Sequence, residues 1–235
     1  GCAAIATTSA GFAFSIGVQD NTPGRERVLR NAAEIVAATD LPVTADLENG
    51  YRADEHWVAE TMRLAASVGL VGASIEDSTY DDAAPLLSID RAAALVHAAA
   101  EAAHAPPFPF TLTARAENFL VGRPDLADVI RRLQAYQEAG ADVLYAPGLT
   151  RESDIREVVR SVDRPVNVIM GLAGVSFSVA QLACMGVKRI SVGSALARAA
   201  YGALLDAAQE MREQGAFTFA QHAASYGRLN GMFAR

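Results

Sequence analysis

The residues best suited to chemistry in this sequence are two carboxylates, Asp46 and Glu48, at the end of an apolar run. The run begins at Pro42, which suits the first residue of a strand, and Asn49 and Gly50 then predict a turn. Residues two apart in a strand point to the same side, so the two carboxylates are predicted to share a face. They would repel each other unless a cation or a proton lay between them, and Mg²⁺ prefers such oxygen ligands. A solvated strand end explains the same pattern, and both readings stay open here.

Apolar runs of strand length alternate with amphipathic helical stretches along the whole chain. Strands without polar alternation are typical of a parallel sheet buried on both faces, and their alternation with helices predicts repeated βα units. No glycine-rich dinucleotide fingerprint follows the first strand. The sequence therefore predicts an α/β fold, a (β/α)₈ barrel. The predicted strands are 3–8, 43–46, 70–75, 107–114, 142–145, 165–170 and 187–192. Because a barrel needs eight, we expect the first strand and its helix to lie before residue 1.

Polar residues gather at the predicted carboxyl ends of these strands, where barrel enzymes place their sites. Three acids fall on neighbouring strands, and an arginine ends the next one, so a metal held by the acids and an anion held by the guanidinium make one consistent site. A buried ion pair of Arg115 with Glu76 or Glu117 is the alternative. The strand-end residues are Thr8, Ser9, Asp46, Glu48, Glu76, Arg115, Glu117, Asn167 and Ser194.

Composition narrows the class of protein. The chain has 235 residues, 51% of them hydrophobic, and a formal net charge of −7. Without a basic cluster or a long apolar run, we expect no nucleic-acid partner and no membrane association. No signal peptide is visible, and two cysteines without metal-type spacing fit a reducing compartment, so a cytoplasmic location is expected. Cys184 lies in an apolar helical stretch and is predicted to be buried.

Four motifs in order carry a resemblance to the isocitrate lyase / phosphoenolpyruvate mutase superfamily. Residues 44–51 resemble its metal motif, 75–77 its second acidic motif, and 114–117 its arginine motif. Residues 1–20 resemble its substrate-binding loop. The similarity runs from the first residue to about Leu205.

The resemblance implies a Mg²⁺-dependent enzyme, with Mn²⁺ as the alternative ion. Asp46 would bind the ion directly, while Glu48 and Glu76 would hold its waters. Chain length and the strand–helix alternation predict one barrel domain over 1–235. The resemblance also implies that helices in 206–235 pack between subunits, and that the protein is a homo-oligomer, a dimer or a tetramer. It assigns substrate binding to Thr8, Ser9, Ala10, Arg115 and Asn167, and catalysis to Asp20 and Arg115.

The loop after the second acidic motif departs from the family. Residues 78–85 contain no cysteine, histidine or lysine, whereas lyases of this superfamily place a proton-handling cysteine there and the mutases place a lysine. The end of the sixth barrel strand, 146–148, also lacks the glutamate of the lyases. Tyr80, Tyr145, Asp20 or a metal-bound water is left to handle protons. We expect loop 78–88 to be a mobile lid.

These observations predict a lyase that cleaves a C–C bond of, or decarboxylates, a small 2-oxo or hydroxy di- or tricarboxylic acid. The leaving fragment would depart as an enolate stabilised by the metal. Its partner would be a small carboxylate substrate. Two alternatives stay open: a mutase or hydrolase acting on the P–C bond of a phosphonate, and an inactive barrel with a binding or structural role.

Overall fold

A computed structural model describes residues 2–234, and its central feature is one parallel sheet. Within these residues, seven strands lie side by side in chain order, and each is parallel to the next. The strands are β1 (Ile5–Ala6), β2 (Val43–Asp46), β3 (Gly72–Glu76), β4 (Thr111–Arg115), β5 (Val143–Tyr145), β6 (Val166–Ile169) and β7 (Arg189–Ser191). This order, in a nearly closed barrel with alternating helices, confirms the predicted α/β barrel class. An eighth strand before residue 1 stays a prediction.

Helices connect successive strands. They are α1 (Ser9–Ser15), α2 (Arg25–Ala37), α3 (Glu55–Ser67), α4 (Ile89–Ala103), α5 (Leu126–Glu138), α6 (Glu152–Arg160) and α7 (Val179–Cys184). Short polar side chains begin many of them: Asp54, Ser88 and Asp125 each accept a hydrogen bond from the backbone N–H three residues further on. These caps satisfy donors that the first helical turn leaves free, so the helix starts are encoded locally.

Successive residues of a strand face alternately the apolar core beneath the helices and the barrel interior. Val43 and Ala45 of β2 belong to the buried apolar layer between the sheet and the helices. Thr44 and Asp46, the residues between and after them, point to the other side, toward the barrel axis. Parallel partners share a face, so Ser74, which pairs with Asp46, also faces inward. The interior of this barrel is therefore lined by polar side chains.

The described residues form two compact units, which divide after Ser194. The first contains the seven strands. The second begins with α8 (Ala195–Gln214), continues through a 3₁₀ turn at Thr218–Gln221, and contains α9 (Tyr226–Met232). Packing of this segment between subunits stays a prediction. No helix within residues 2–234 combines the length and the apolar character needed to span a bilayer.

The structure corrects three local expectations. Ser9, predicted in a loop, begins α1, because Thr8 caps the helix by accepting the N–H of Gly11. Glu48 lies beyond the end of β2, so strand alternation does not determine its direction. Cys184 is exposed rather than buried, since the short helix α7 turns Leu182 toward the core instead.

Candidate active site

The guanidinium of Arg115, at the end of β4, is the centre of the site. Its Nη1 lies 2.9 Å from Asp46 Oδ1, its Nη2 2.9 Å from Glu76 Oε2, and its Nε 2.8 Å from Glu117 Oε1. The sheet register explains part of this, because Glu76 and Arg115 are direct partners on β3 and β4. Every nitrogen of the guanidinium is thus bonded to a carboxylate. The ion pairs considered as the alternative for Arg115 are both present, and they lie within the predicted cluster.

Burial and the neighbouring charges shift the pKa values of this cluster in opposite directions. Burial by itself would lower the pKa of Arg115, but the carboxylates of Glu117, Glu76 and Asp46 raise it well above its usual value. Burial also raises the pKa of the Glu76 carboxyl, and Arg115 opposes that shift only in part. Arg115 therefore stays charged and limits the repulsion among the acids around it.

Asp46 is held by three elements. Its backbone N–H donates to Thr7 Oγ1 at 3.0 Å, and Ser74 Oγ donates to its Oδ1 at 3.4 Å. The N–H of Ser9, the first residue of α1, lies 3.4 Å from Oδ2. Thr7, just after β1, therefore fixes the backbone of Asp46, while Ser74 of β3 and Ser9 of α1 orient its carboxylate before any ligand arrives.

Glu48 has the least satisfied carboxyl of the cluster. Its φ of 53° lies in the left-handed region, which is uncommon for a non-glycine residue, and its side chain is buried. Its Oε1 has no hydrogen-bond partner among the described residues. Burial, followed by the charges of Asp46 and Asp20, raises the pKa of Glu48 to about 7. A proton or a cation beside this oxygen would offset the cost of burying the Glu48 charge near Asp46 and Asp20.

These acids fit a divalent cation. Within residues 2–234, no three carboxylate, imidazole or thiol groups converge closely enough to make a ligand cage of protein groups alone. Mg²⁺ does not need one, because it usually takes one or two carboxylates and keeps several waters. The unpartnered oxygen of Glu48 near Asp46 supplies the donor chemistry that such an ion requires.

The remaining predicted residues lie around this centre. Asp20 is near enough to Glu48 for its charge to raise the pKa of that carboxyl. Thr8 caps α1, and Ser9 and Ala10 are its first two residues. Asn167 on β6 is buried; its Nδ2 donates to Ser191 Oγ at 3.0 Å, and its Oδ1 has no partner among the described residues.

Loop 78–88 brings Tyr80, one of the predicted candidates for handling protons, into contact with the acid cluster. Tyr80 Oη donates to Glu76 Oε1 at 3.0 Å, and Tyr80 itself has a φ of 60°. A bridge between Ser78 and Leu86 ties the two ends of the loop together. Tyr80 is therefore the part of the predicted lid that contacts the acids. Whether the loop moves stays a prediction.

Asp77 has a role that sequence analysis missed. It follows Glu76 directly but faces the opposite side, where it accepts hydrogen bonds from the Glu117 N–H and from Arg132 Nη1, each at 2.9 Å. Tyr136 Oη donates to it as well. The position of Asp77 directly after the inward-facing Glu76 was the available signal, because neighbouring residues at a strand end tend to face opposite sides.

Comparison with protein families identifies relatives over most of the chain. Residues 1–212 match the family model described as phosphoenolpyruvate phosphomutase. An uncharacterised protein of Mycobacterium tuberculosis is 30% identical over 199 residues, which are 83% of this chain and 70% of that protein. The 2-methylisocitrate lyase of Escherichia coli is 28% identical over 59% of this chain and 48% of the enzyme. The oxaloacetate decarboxylase of Pseudomonas aeruginosa is 28% identical over 78% of this chain and 64% of the enzyme.

Solved structures agree with the fold. A crystal structure from Burkholderia cenocepacia J2315, provisionally assigned as a lyase or mutase, is 55% identical with a TM-score of 0.96, over 99% of this chain and 84% of that one. A second structure from that organism, provisionally assigned as a phosphonomutase, is 34% identical with a TM-score of 0.80, over 89% and 86%. A 2,3-dimethylmalate lyase is 25% identical with a TM-score of 0.81, over 93% and 78%.

Proposed function

Because the chain belongs to the phosphoenolpyruvate phosphomutase family, we propose that it is a Mg²⁺-dependent lyase. It would cleave a C–C bond of, or decarboxylate, a small 2-oxo or hydroxy di- or tricarboxylic acid. The observation that carries the proposal is the convergence of Asp46 and Glu76 on Arg115 at the strand ends, beside the unpartnered Glu48 oxygen. Relatives that are named as a methylisocitrate lyase and an oxaloacetate decarboxylase support it.

Each acid has a separate task in this proposal. Asp46 would bind the ion directly, and Glu48 and Glu76 would hold its waters. The ion, when bound, supplies the concentrated positive charge that offsets an enolate's negative charge. Thr7 and Ser74 keep Asp46 in one orientation, so little reorganisation is needed when the ion and substrate bind.

Metal removal and substitution of Asp46 test the proposal together. The purified protein is assayed with oxaloacetate and with 2-methylisocitrate, in Mg²⁺ and in EDTA. We expect turnover of at least one acid, its loss in EDTA, and its return with Mg²⁺. Asp46→Asn should lower kcat by about 100-fold or more, because a neutral amide replaces the carboxylate that would bind the ion directly. Asp40→Asn, at an exposed position before β2, is the matched control.

Two outcomes would contradict this function. Turnover that survives EDTA would exclude the metal-dependent route. If neither acid turns over and Asp46→Asn changes no ligand binding, the inactive barrel becomes the better description.

A phosphonate mutase or hydrolase is the second candidate. The specific observation in its favour is the 34% identity with the structure provisionally assigned as a phosphonomutase. The absence of lysine from loop 78–85 counts against it. Incubation with phosphonopyruvate, followed by ³¹P NMR, separates the candidates: a lyase leaves the phosphonate signal unchanged, whereas a mutase or hydrolase replaces it with a phosphate ester or inorganic phosphate.

A further inference from the structure

A second guanidinium, that of Arg189, lies on the barrel interior. Arg189 is the first residue of β7, where its Cα pairs with Asn167 of β6. Asn167 pairs in turn with Tyr145, and Tyr145 with Arg115. Since partners in parallel strands point to the same side of a sheet, Arg189 faces the same interior as Arg115.

Arg189 differs from Arg115 in what surrounds it. No carboxylate of the described residues forms an ion pair with it, and its hydrogen bond runs from Nη2 to Thr44 Oγ1 at 3.3 Å. Asp46 lies two residues after Thr44 on the same face of β2. The guanidinium therefore bridges β7 and β2 below the acid cluster, and most of its donors have no partner among the described residues.

A partly buried charge without a counter-ion is expensive to keep. Burial lowers the pKa of Arg189, against the smaller opposing influence of Tyr145 and Asp46, but an arginine stays ionised in proteins. One contact with a neutral hydroxyl does not offset the loss of water around a guanidinium. Among residues 2–234 no carboxylate supplies the opposite charge, and a ligand in the barrel interior can supply it.

Resting on the proposed function, we propose that Arg189 binds the second carboxylate of a dicarboxylic substrate. Arg115 is poorly suited to that task, because Asp46, Glu76 and Glu117 already occupy its nitrogens and would repel a further anion. Asn167, next to Arg189, keeps a buried carbonyl oxygen that receives no hydrogen bond from the part of the chain that the structure describes. That oxygen can accept a hydrogen bond from a substrate hydroxyl, so the site favours a hydroxy or oxo dicarboxylate over a monocarboxylate.

If Arg189 instead has a structural role and links β7 to β2, its removal should destabilise the fold. If it serves a ligand, its removal takes away an uncompensated charge, and the ligand-free protein should be as stable as before or more stable.

Malate and lactate form a matched pair of probes, since both are 2-hydroxy acids and only malate carries a second carboxylate. Their binding is measured by calorimetry in Mg²⁺ for the wild type, Arg189→Met and Arg189→Lys. We expect the wild type to bind malate more tightly than lactate. Arg189→Met should weaken malate binding at least about 10-fold and change lactate binding less than about 2-fold, while Arg189→Lys keeps part of the preference. The Tm of ligand-free Arg189→Met should equal or exceed that of the wild type.

Arg63→Met is the control, because Arg63 is exposed on α3 and forms a surface ion pair with Glu60. Three results would overturn the assignment: a wild type without preference for malate, equal weakening of both acids in Arg189→Met, or loss of the folded state in both Arg189 variants. The lyase proposal can fail independently of the assignment of Arg189. A malate preference that depends on Arg189, in a protein that turns over none of the tested acids, would retain the binding site and reject the reaction.

Discussion

Arg115 and Arg189 face the same barrel interior, but different groups surround their charges. Arg115 on β4 is bonded to Asp46, Glu76 and Glu117, at 2.8 to 2.9 Å. Arg189 on β7 has a threonine hydroxyl at 3.3 Å. Arg115, with several internal counter-ions, organises the site, whereas Arg189 has no ion pair among the described residues, and we propose that a ligand offsets its charge. Residue type alone does not distinguish these roles; the neighbouring charges do.

The largest difference between the two arginines should appear in stability. Arg115→Met leaves three largely buried carboxylates without their common counter-ion, so we expect the free energy of unfolding to fall by about 3–5 kcal/mol. Arg189→Met, which removes a charge that has no ion pair within residues 2–234, should change it little or raise it. Urea denaturation monitored by circular dichroism measures both. The loss in Arg115→Met should be smaller at pH 5 than at pH 8, because protonation of the acids relieves their repulsion.

Arg63→Met again serves as the exposed control and should change the unfolding free energy by less than about 1 kcal/mol. Equal destabilisation by Arg115→Met and Arg189→Met would break the comparison, since it would show that Arg189 also has an internal structural task.

Local sequence patterns predicted the parts of this site that depend on strand order. The seven strands and the positions of Asp46, Glu76 and Arg115 at their ends follow from apolar runs and the residues that terminate them. The rule that barrel sites lie at carboxyl ends then brings these three residues together without any distance information.

Contacts between distant segments could not be predicted in this way. The bond between Thr7 and Asp46 joins residues 39 positions apart, and that between Arg189 and Thr44 joins residues 145 apart. Such pairs depend on three-dimensional packing, and no local pattern encodes them. The left-handed backbone of Glu48 has a related origin: Glu48 lies two residues beyond the end of β2, where strand alternation no longer predicts the backbone conformation.

The acid cluster should also give the protein a characteristic pH dependence. The pKa of Glu48 is about 7, above its ordinary value of 4.5, so the folded state keeps a proton that the unfolded state releases. The corresponding stability is present below about pH 4.5 and is lost as the pH rises through about 7. Without metal, we expect this residue to account for a decrease of at most about 3 kcal/mol between pH 5 and pH 8.

Thermal unfolding of the wild type and of Glu48→Gln across this range measures the effect. The amide cannot ionise, so the Glu48→Gln curve should be flatter, while Glu34→Gln, on the surface of α2, should follow the wild type. Mg²⁺ should stabilise the wild type more at pH 8 than at pH 5, because the ion binds the ionised carboxylate. An unchanged slope in Glu48→Gln would show that the raised pKa of Glu48 is not the source of this pH dependence.

The smallest expected effect concerns Thr44, the hydroxyl partner of Arg189. Thr44→Val preserves the shape of the side chain and removes one hydrogen bond of 3.3 Å, so we expect the unfolding free energy to change by less than about 1 kcal/mol. The preference for malate over lactate should fall only a few-fold, since the guanidinium keeps its charge but loses one contact that orients it. A loss of malate preference as large as that of Arg189→Met would indicate that Thr44 itself binds the second carboxylate, and calorimetry on the two variants side by side makes that comparison.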